Sequence, residues 1–445
     1  MKKRIIVGLV AVAAVAGGLP YVSGYLAESQ TRQSLDTLNS QSPYGKMEVV
    51  KYERGYNASS AEYKWVTNSE LEKDLQIGEI VISCDGVHKM LSFDYSCNLK
   101  SMGLQDEQIR AAFKGKAPVT ISGNIDLMGK ETSQVIINPF EITNATSVRI
   151  TSDGGIMNST ANASLSELTV AGTFSPITVV DAGGGEVRIS ESTLTMDGAM
   201  HERKYFLGDS VINVNDITLI APMLDVPLTV KGVSMVSSGD VENGIYSGDG
   251  SLNIREFILP AVLNKRTSSD VSIKDVSIGV SFADTPFAPI ANLTDYSQRL
   301  AEQMSESGSA DPGMAKVDEQ FVKEQVLALL KKDLAINLWV SSEVNDGALK
   351  SHVNTLLTKD ITEEFISELE TGGAFAALKL LQQVDLDILV AIPNSVTELS
   401  PEVAMMVAMS NKFVADDSGL TSTLILKNGA ITLNGESSSI ETLMQ

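Results

Sequence analysis

Four stretches of this chain repeat one pattern, and that pattern confines much of it to a sheet. Ile212-Asn-Val214-Asn-Asp216-Ile217-Thr-Leu219 reads apolar-x-apolar-x-turn-apolar-x-apolar. Leu228 to Met235, Leu252 to Leu259 and Val271 to Ile278 read the same way, the alternation slipping by one residue at Gly232, Glu256 and Asp275. A period of two gives a strand one apolar and one wet face. A one-residue slip turns every later side chain over unless a bulge absorbs an extra residue. Slips recurring in this way predict a long, twisted, curved antiparallel sheet. A flat sandwich whose strands end at those residues is the competing arrangement.

The same period dominates from Met47 to Phe282, as in Val119-Thr-Ile121 and Val187-Arg-Ile189. Turn clusters such as Asp153-Gly154-Gly155 and Gly183-Gly184-Gly185 punctuate it, as many antiparallel strands require. After Ala283 the character changes. Pro286 and Pro289 break the strand pattern, and Asn292 onward is helical up to a Ser/Gly/Asp/Pro linker at Ser305 to Gly313. Phe321, Val322, Gln325, Val326, Leu329 and Leu330 recur at helical spacing. Asp360 with Glu363 forms a capping-box pattern, and Ser400-Pro401-Glu402 sets N-cap, first-turn proline and acidic first turn in order. Strand-like pieces at Ala335 to Val344, Val384 to Ile392 and Leu420 to Leu433 lie between these helices. The expected fold class is α+β: a long curved antiparallel sheet with C-terminal helices packed on it, preceded by one N-terminal transmembrane helix. The divisions are an anchor or signal segment at 1–27, a stalk or short helix at 28–46, a β-rich region at 47–282 and an α+β region at 283–445.

Lys2, Lys3 and Arg4 precede an apolar run from Ile5 to Ala27 that holds no charged residue. A basic start followed by such a run is an export signal, and about 20 apolar residues cross a bilayer. Ala14-Val15-Ala16 before Gly17 suits a signal peptidase, whereas apolar residues continue to Leu26; the continuation favours a retained anchor. The positive-inside rule then places the bulk of the chain in the periplasm, behind a single-pass inner-membrane helix. The only cysteines, Cys84 and Cys97, stand at hairpin spacing and read as a disulfide in an oxidising compartment. Closing that loop stabilises by about 3 kcal/mol in the chain-entropy model.

The formal net charge of −22 excludes nucleic acid as a partner, since no basic stripe offsets that field. Aromatic residues make up only 5%, so the core is aliphatic. Catalytic motifs are absent. His88, His201 and His352 are far apart and form no metal motif. Gly208-Asp209-Ser210 lacks a hydrolase elbow, and the glycine run at 183–185 lacks the phosphate-loop lysine. Asp385-Leu-Asp387 reads as the wet face of a strand, and Met405, Met406 and Met409 as core packing. No cofactor or metal is expected.

Val50-Lys-Tyr52-Glu-Arg54-Gly55-Tyr56-Asn-Ala-Ser59-Ser60-Ala61 resembles the Tyr-x-Arg-Gly…Ser-x-Ala opening of the YdgA-like family of bacterial envelope proteins. Asn428-Gly429-Ala430-Ile431-Thr432-Leu433-Asn434-Gly435 resembles that family's closing strand. The resemblance covers nearly the whole chain, with Tyr52, Arg54, Gly55, Ser60, Asn434 and Gly435 as its motif residues. It implies a membrane-tethered periplasmic protein with no assigned reaction and no catalytic residues. Physically, Arg54 reads as paired with an acid, Gly55 as a close backbone approach, and both Asn-Gly dipeptides as tight turns.

The chain thus reads as an inner-membrane-tethered periplasmic protein without catalytic activity, binding an apolar ligand (a lipid) or scaffolding an envelope protein. The alternative is a periplasmic carboxylate-based hydrolase acting on glycan.

Overall fold

The computed structural model describes residues 45–67, 79–89, 91–101, 106–143, 147–202, 205–222, 226–261, 263, 269–307, 317–367, 382–410 and 412–439, with Tyr25, Glu28, Ser29, Arg32, Leu35, Asn39 and Lys379. The expected membrane segment, 1–27, lies outside the described residues but for Tyr25. Among the described residues no helix is long and apolar enough to cross a membrane. The chain is mostly antiparallel sheet with a few helices, and it divides into two compact units.

The first unit comprises Met1–Ala182, Ser190–Gly208 and Ser297–Lys316. Its main ladder runs through β1 (Gly45–Arg54), β2 (Ala58–Thr67), β3 (Glu79–His88), β4 (Ser92–Ser101), β5 (Val119–Asp126) and β6 (Glu131–Ile137). It continues through β9 (Gly155–Ala161), β10 (Leu168–Phe174) and β13 (Ser192–His201), every pair antiparallel. A shorter ladder joins β7 (Phe140–Thr143), β8 (Arg149–Ser152) and β11 (Ile177–Val180). Helix α1 (Asp106–Ala112) precedes β5, and Phe113 just after it packs on Phe140 with ring centroids 5.4 Å apart. The alternation works as read: Tyr52, Ala61, Cys84, Cys97, Ile121, Val135 and Met157 stand opposite one another in turn. They form one row on one face.

The second unit comprises Gly183–Ile189, Asp209–Tyr296 and Val317–Gln445. Here β12 (Glu186–Ile189) pairs with β14 (Tyr205–Ile220), followed by β15 (Leu228–Glu242), β16 (Ile245–Leu259), β17 (Val271–Pro286), β18 (Ala335–Val344), β19 (Gly347–Leu357) and β20 (Val384–Pro393). Next comes β22 (Gly419–Lys427), which also carries β21 (Val414–Asp416) and β23 (Ala430–Leu433); β24 (Glu436–Ser438) closes on β23. Two-residue turns with positive φ at both positions join four of these pairs: Asn243-Gly244, Asn345-Asp346, Asn428-Gly429 and Asn434-Gly435. This turn type matches the twist of the strands, and Asn and Gly tolerate it best.

The repeated slips fall on one line. Val214 opposes Val233 and Asp216 opposes Lys231, so the ladder passes over Asn215 and Gly232. It passes over Gly232 and Arg255 between β15 and β16, and over Arg255 and Asp275 between β16 and β17. Gly232 and Asp275 hold positive φ, of 63° and 48°. In β14 and β16 the break thus sits one residue before the position read from the pattern. No extra residue is inserted at this line: pairing resumes in the same register because the facing strands break together. A true shift occurs between β17 and β18, at Lys274 to Ser277. Beside the break a ladder of alternating charge crosses five strands: Asp216, Lys231, Glu256, Lys274 and Glu343 are successive partners.

Helices pack near the β18–β19 end of this unit. Helix α2 (Phe287–Ser307) contributes Tyr296, whose ring lies 5.0 Å from that of Phe321 on α3 (Glu319–Leu329). Leu334, Leu357, Ile361 and Phe365 form the core there, with Leu327 and Leu330 against them. The capping box is displaced from the sequence reading. Thr362 Oγ1 accepts from the Phe365 amide at 3.2 Å, while Asp360 accepts the Lys332 amide at 2.8 Å and so ties the helix start to the turn between α3 and β18. Helices α4 (Asn394–Leu399) and α5 (Pro401–Ser410) follow β20. Met405 and Met409 are 60% and 76% exposed, not core; α5 buries Val407 instead.

Candidate functional site

A cavity of about 310 Å³ opens on the face of β1–β5 in the first unit. The pleat of each strand supplies every second residue to it. Tyr52, Tyr63, Ile82, Phe93, Tyr95, Ile121 and Ile125 line it, with the Cys84–Cys97 disulfide in its wall and Glu131 from β6 at its border. Cys84 and Cys97 face each other across β3 and β4 with Cα atoms 4.0 Å apart, so the strands' own register brings the sulfurs together.

Two bare positions make room for the aromatic wall. A Cβ on Gly86 would stand 2.2 Å from the Phe93 ring, and one on Gly123 would stand 2.5 Å from Tyr95. The two rings lie over those glycines, stacked with centroids 6.3 Å apart. The Tyr95 hydroxyl donates to Glu131 Oε1. His88 sits behind Phe93, its ring 5.4 Å away, and Nδ1 donates to the Tyr56 carbonyl at 3.1 Å.

The N-terminal segment meets the same face. Tyr25, Glu28, Ser29, Arg32, Leu35 and Asn39 are helical, and their spacing of three to four puts them on one side of that helix. Leu35 reaches the cavity. Asn39 exchanges two hydrogen bonds with the Met47 backbone, at 2.6 and 2.8 Å. Glu28 joins Arg54 at 2.9 Å and Arg32 at 3.2 Å, and the Arg54 guanidinium lies 5.5 Å from the Tyr25 ring centroid.

Burial sets the electrostatics of the wall. It pushes the Tyr63 hydroxyl up to about 12 and raises Tyr52 above the ordinary tyrosine value. Burial, then the charge of Glu131, raises Tyr95 as well. All three hydroxyls therefore stay protonated at neutral pH, and the described residues of the wall offer hydroxyl dipoles, aromatic and aliphatic surface and one side-chain carboxylate. Among the described residues no group of His, Cys, Asp and Glu stands ready to hold a metal ion.

The motif residues of the opening segment divide between roles. Tyr52 lines the cavity, Arg54 pairs with Glu28, and Gly55 turns the chain with its amide on the Ala58 carbonyl at 2.8 Å. Ser60 opposes Glu53 and Asp85, on the other face of β2 from Ser59 and Ala61. Asn434 and Gly435 belong to the second unit, where Asn434 forms a turn, accepts the Thr423 amide at 2.8 Å and donates to the Lys412 carbonyl at 2.9 Å. Sequence reasoning missed Tyr63, Phe93, Tyr95 and Glu131. The available signal was the gathering of five aromatic residues, Tyr52, Tyr63, Trp65, Phe93 and Tyr95, in β1–β4 of an aromatic-poor chain.

The family assignment rests on the chain as a whole. A family model described as "Bacterial protein of unknown function (DUF945)" matches residues 1–441. The chain belongs to this family. Neither a curated protein nor a solved structure matches it. The family carries no assigned reaction, so the cavity has to be read from its own chemistry.

Proposed function

We propose that this family member is a non-catalytic binding protein of the bacterial envelope, tethered to the inner membrane with its bulk in the periplasm, and that its first unit holds an apolar chain. The observation that carries this reading is the cavity wall: three tyrosines, a phenylalanine and aliphatic side chains around about 310 Å³, with very few polar groups. Sites for apolar ligands are concave, mostly apolar and sparingly polar. The basic-then-apolar start of the chain, the disulfide and the resemblance to YdgA-like envelope proteins support the location. The shared line of breaks in β14–β17 supports a curved sheet. An uncovered apolar row in the second unit supports lipid handling: Ile212, Met235, Leu252, Ile278 and Val340 are successive partners, four of them 39–55% exposed.

Native mass spectrometry with lipid extraction on the detergent-purified full-length protein tests the reading. The expected result is one equivalent of an acyl species that survives delipidating washes and is lost in Ala61→Trp, which fills the cavity. An empty, folded protein overturns lipid binding and favours a scaffold for another envelope protein. Release of sugar from envelope glycan by the same preparation favours the hydrolase instead.

A further inference from the structure

The cavity wall also restricts the head group of what it takes. Among the described residues its polar side chains are the tyrosine hydroxyls, the Ser59 hydroxyl and the carboxylate of Glu131. Asp85 borders the cavity as well, but the pleat that turns Cys84 and Gly86 inwards turns its side chain to the opposite, exposed face. No lysine or arginine is among the described residues of the wall. Among the described residues, Arg32 and Arg54, whose charges reach the cavity tyrosines, are both held by Glu28.

Resting on the apolar-ligand reading, we infer that the ligand carries a hydrogen-bond-donating head, an ammonium or a hydroxyl, seated beside Glu131, and that carboxylate and phosphate heads are rejected. A buried anion beside a carboxylate loses hydration and meets a like charge. An ammonium or hydroxyl instead donates to that carboxylate, and a hydrogen bond to a charged partner is roughly twice as strong as a neutral one. Tyr95 already donates to Oε1 and holds the carboxylate in place. The raised pKa of Tyr95 keeps that donor protonated through neutral pH.

Three probes of one chain length decide it: dodecylamine, 1-dodecanol and dodecanoate, titrated at pH 7 into the full-length protein in non-ionic detergent and followed by intrinsic fluorescence. The expected ranking has the amine and the alcohol at least about tenfold tighter than dodecanoate, the scale of one charge-assisted hydrogen bond. Glu131→Gln keeps an acceptor for Tyr95 and is expected to bring dodecanoate to within about threefold of dodecanol. Dodecanoate binding as tightly as the amine in the unsubstituted protein overturns the inference and leaves the apolar-ligand reading standing. Binding of none of the three overturns that reading, and this inference with it.

Discussion

Tyr95 covers Gly123 on the neighbouring strand, where a Cβ would stand 2.5 Å from the ring and 2.8 Å from the Thr132 carbonyl. The device recurs: Phe93 covers Gly86 in the same unit, and Trp339 covers Gly279 in the second, its Nε1 donating to Ser277 Oγ at 3.2 Å. An aromatic ring laid over a strand glycine shields bare backbone and pins the ring's own position. In the cavity this makes glycine the partner of the aromatic wall.

Replacing Gly123 by alanine is therefore expected to cost about 1–3 kcal/mol, the range of an overpacked core, and to weaken ligand binding by moving Tyr95. Gly250→Ala is the control, because its only neighbour within reach is the Val236 carbonyl at 4.0 Å. Urea unfolding checks both. Equal costs at the two sites would show that the ring contact is not what Gly123 serves.

Removing the disulfide with the double substitution Cys84→Ser and Cys97→Ser is expected to cost about 2–3 kcal/mol, since the bridge closes a short loop in the unfolded chain. Because β3 and β4 remain paired on both sides of the bridge, the folded far-ultraviolet spectrum should persist. Denaturant midpoints with and without dithiothreitol measure the effect. A midpoint insensitive to reduction would deny the bridge a stabilising part.

The cavity tyrosines are expected to contribute to the alkaline limb of stability. Tyr63 has its value raised to about 12 in the folded state against about 10 when unfolded. A raised value means that its stabilisation is complete below pH 10 and is lost as pH climbs to about 12, because the unfolded chain releases the proton first. Urea midpoints should fall across that window, and Tyr63→Phe should flatten the fall. An unchanged slope in Tyr63→Phe would assign the loss to other groups.

Glu256 holds its carboxyl below the usual range because Lys231 donates to it at 2.7 Å, with Lys274 on the strand beyond. Like charges directly opposite one another destabilise a sheet. Glu256→Lys would set three lysines in a row and should destabilise more than Glu343→Lys, which meets Lys274 alone. Both exposed effects should shrink in 1 M salt, as screening requires. Equal effects that ignore salt would remove the charge ladder as an explanation.

The sheet was legible because its signals are local. The alternation in Leu252 to Leu259 and the Asn-Gly pairs at 428–429 and 434–435 need no distant partner to act. Asn243-Gly244 carried the same signal and was passed over. Arg54 was legible as half of an ion pair, yet Glu28 was not legible as the other half, because a helix face chooses its partner only once it lies on a strand. The same distance hid the cap at Thr362: Asp360 has the right spacing, but the Lys332 amide, 28 residues away in sequence, takes its carboxylate.

The sequence by itself determined that this chain is an antiparallel β protein, where its breaks fall to within one residue, and that its cysteines share a hairpin. Those properties depend on period, turn conformation and spacing along a single strand. Only the tertiary structure decided that four breaks align into one line and that aromatic residues of three strands gather beside Glu131, two of them over glycines. Cross-strand register sets such meetings, through pairings that the pattern within any one strand does not record.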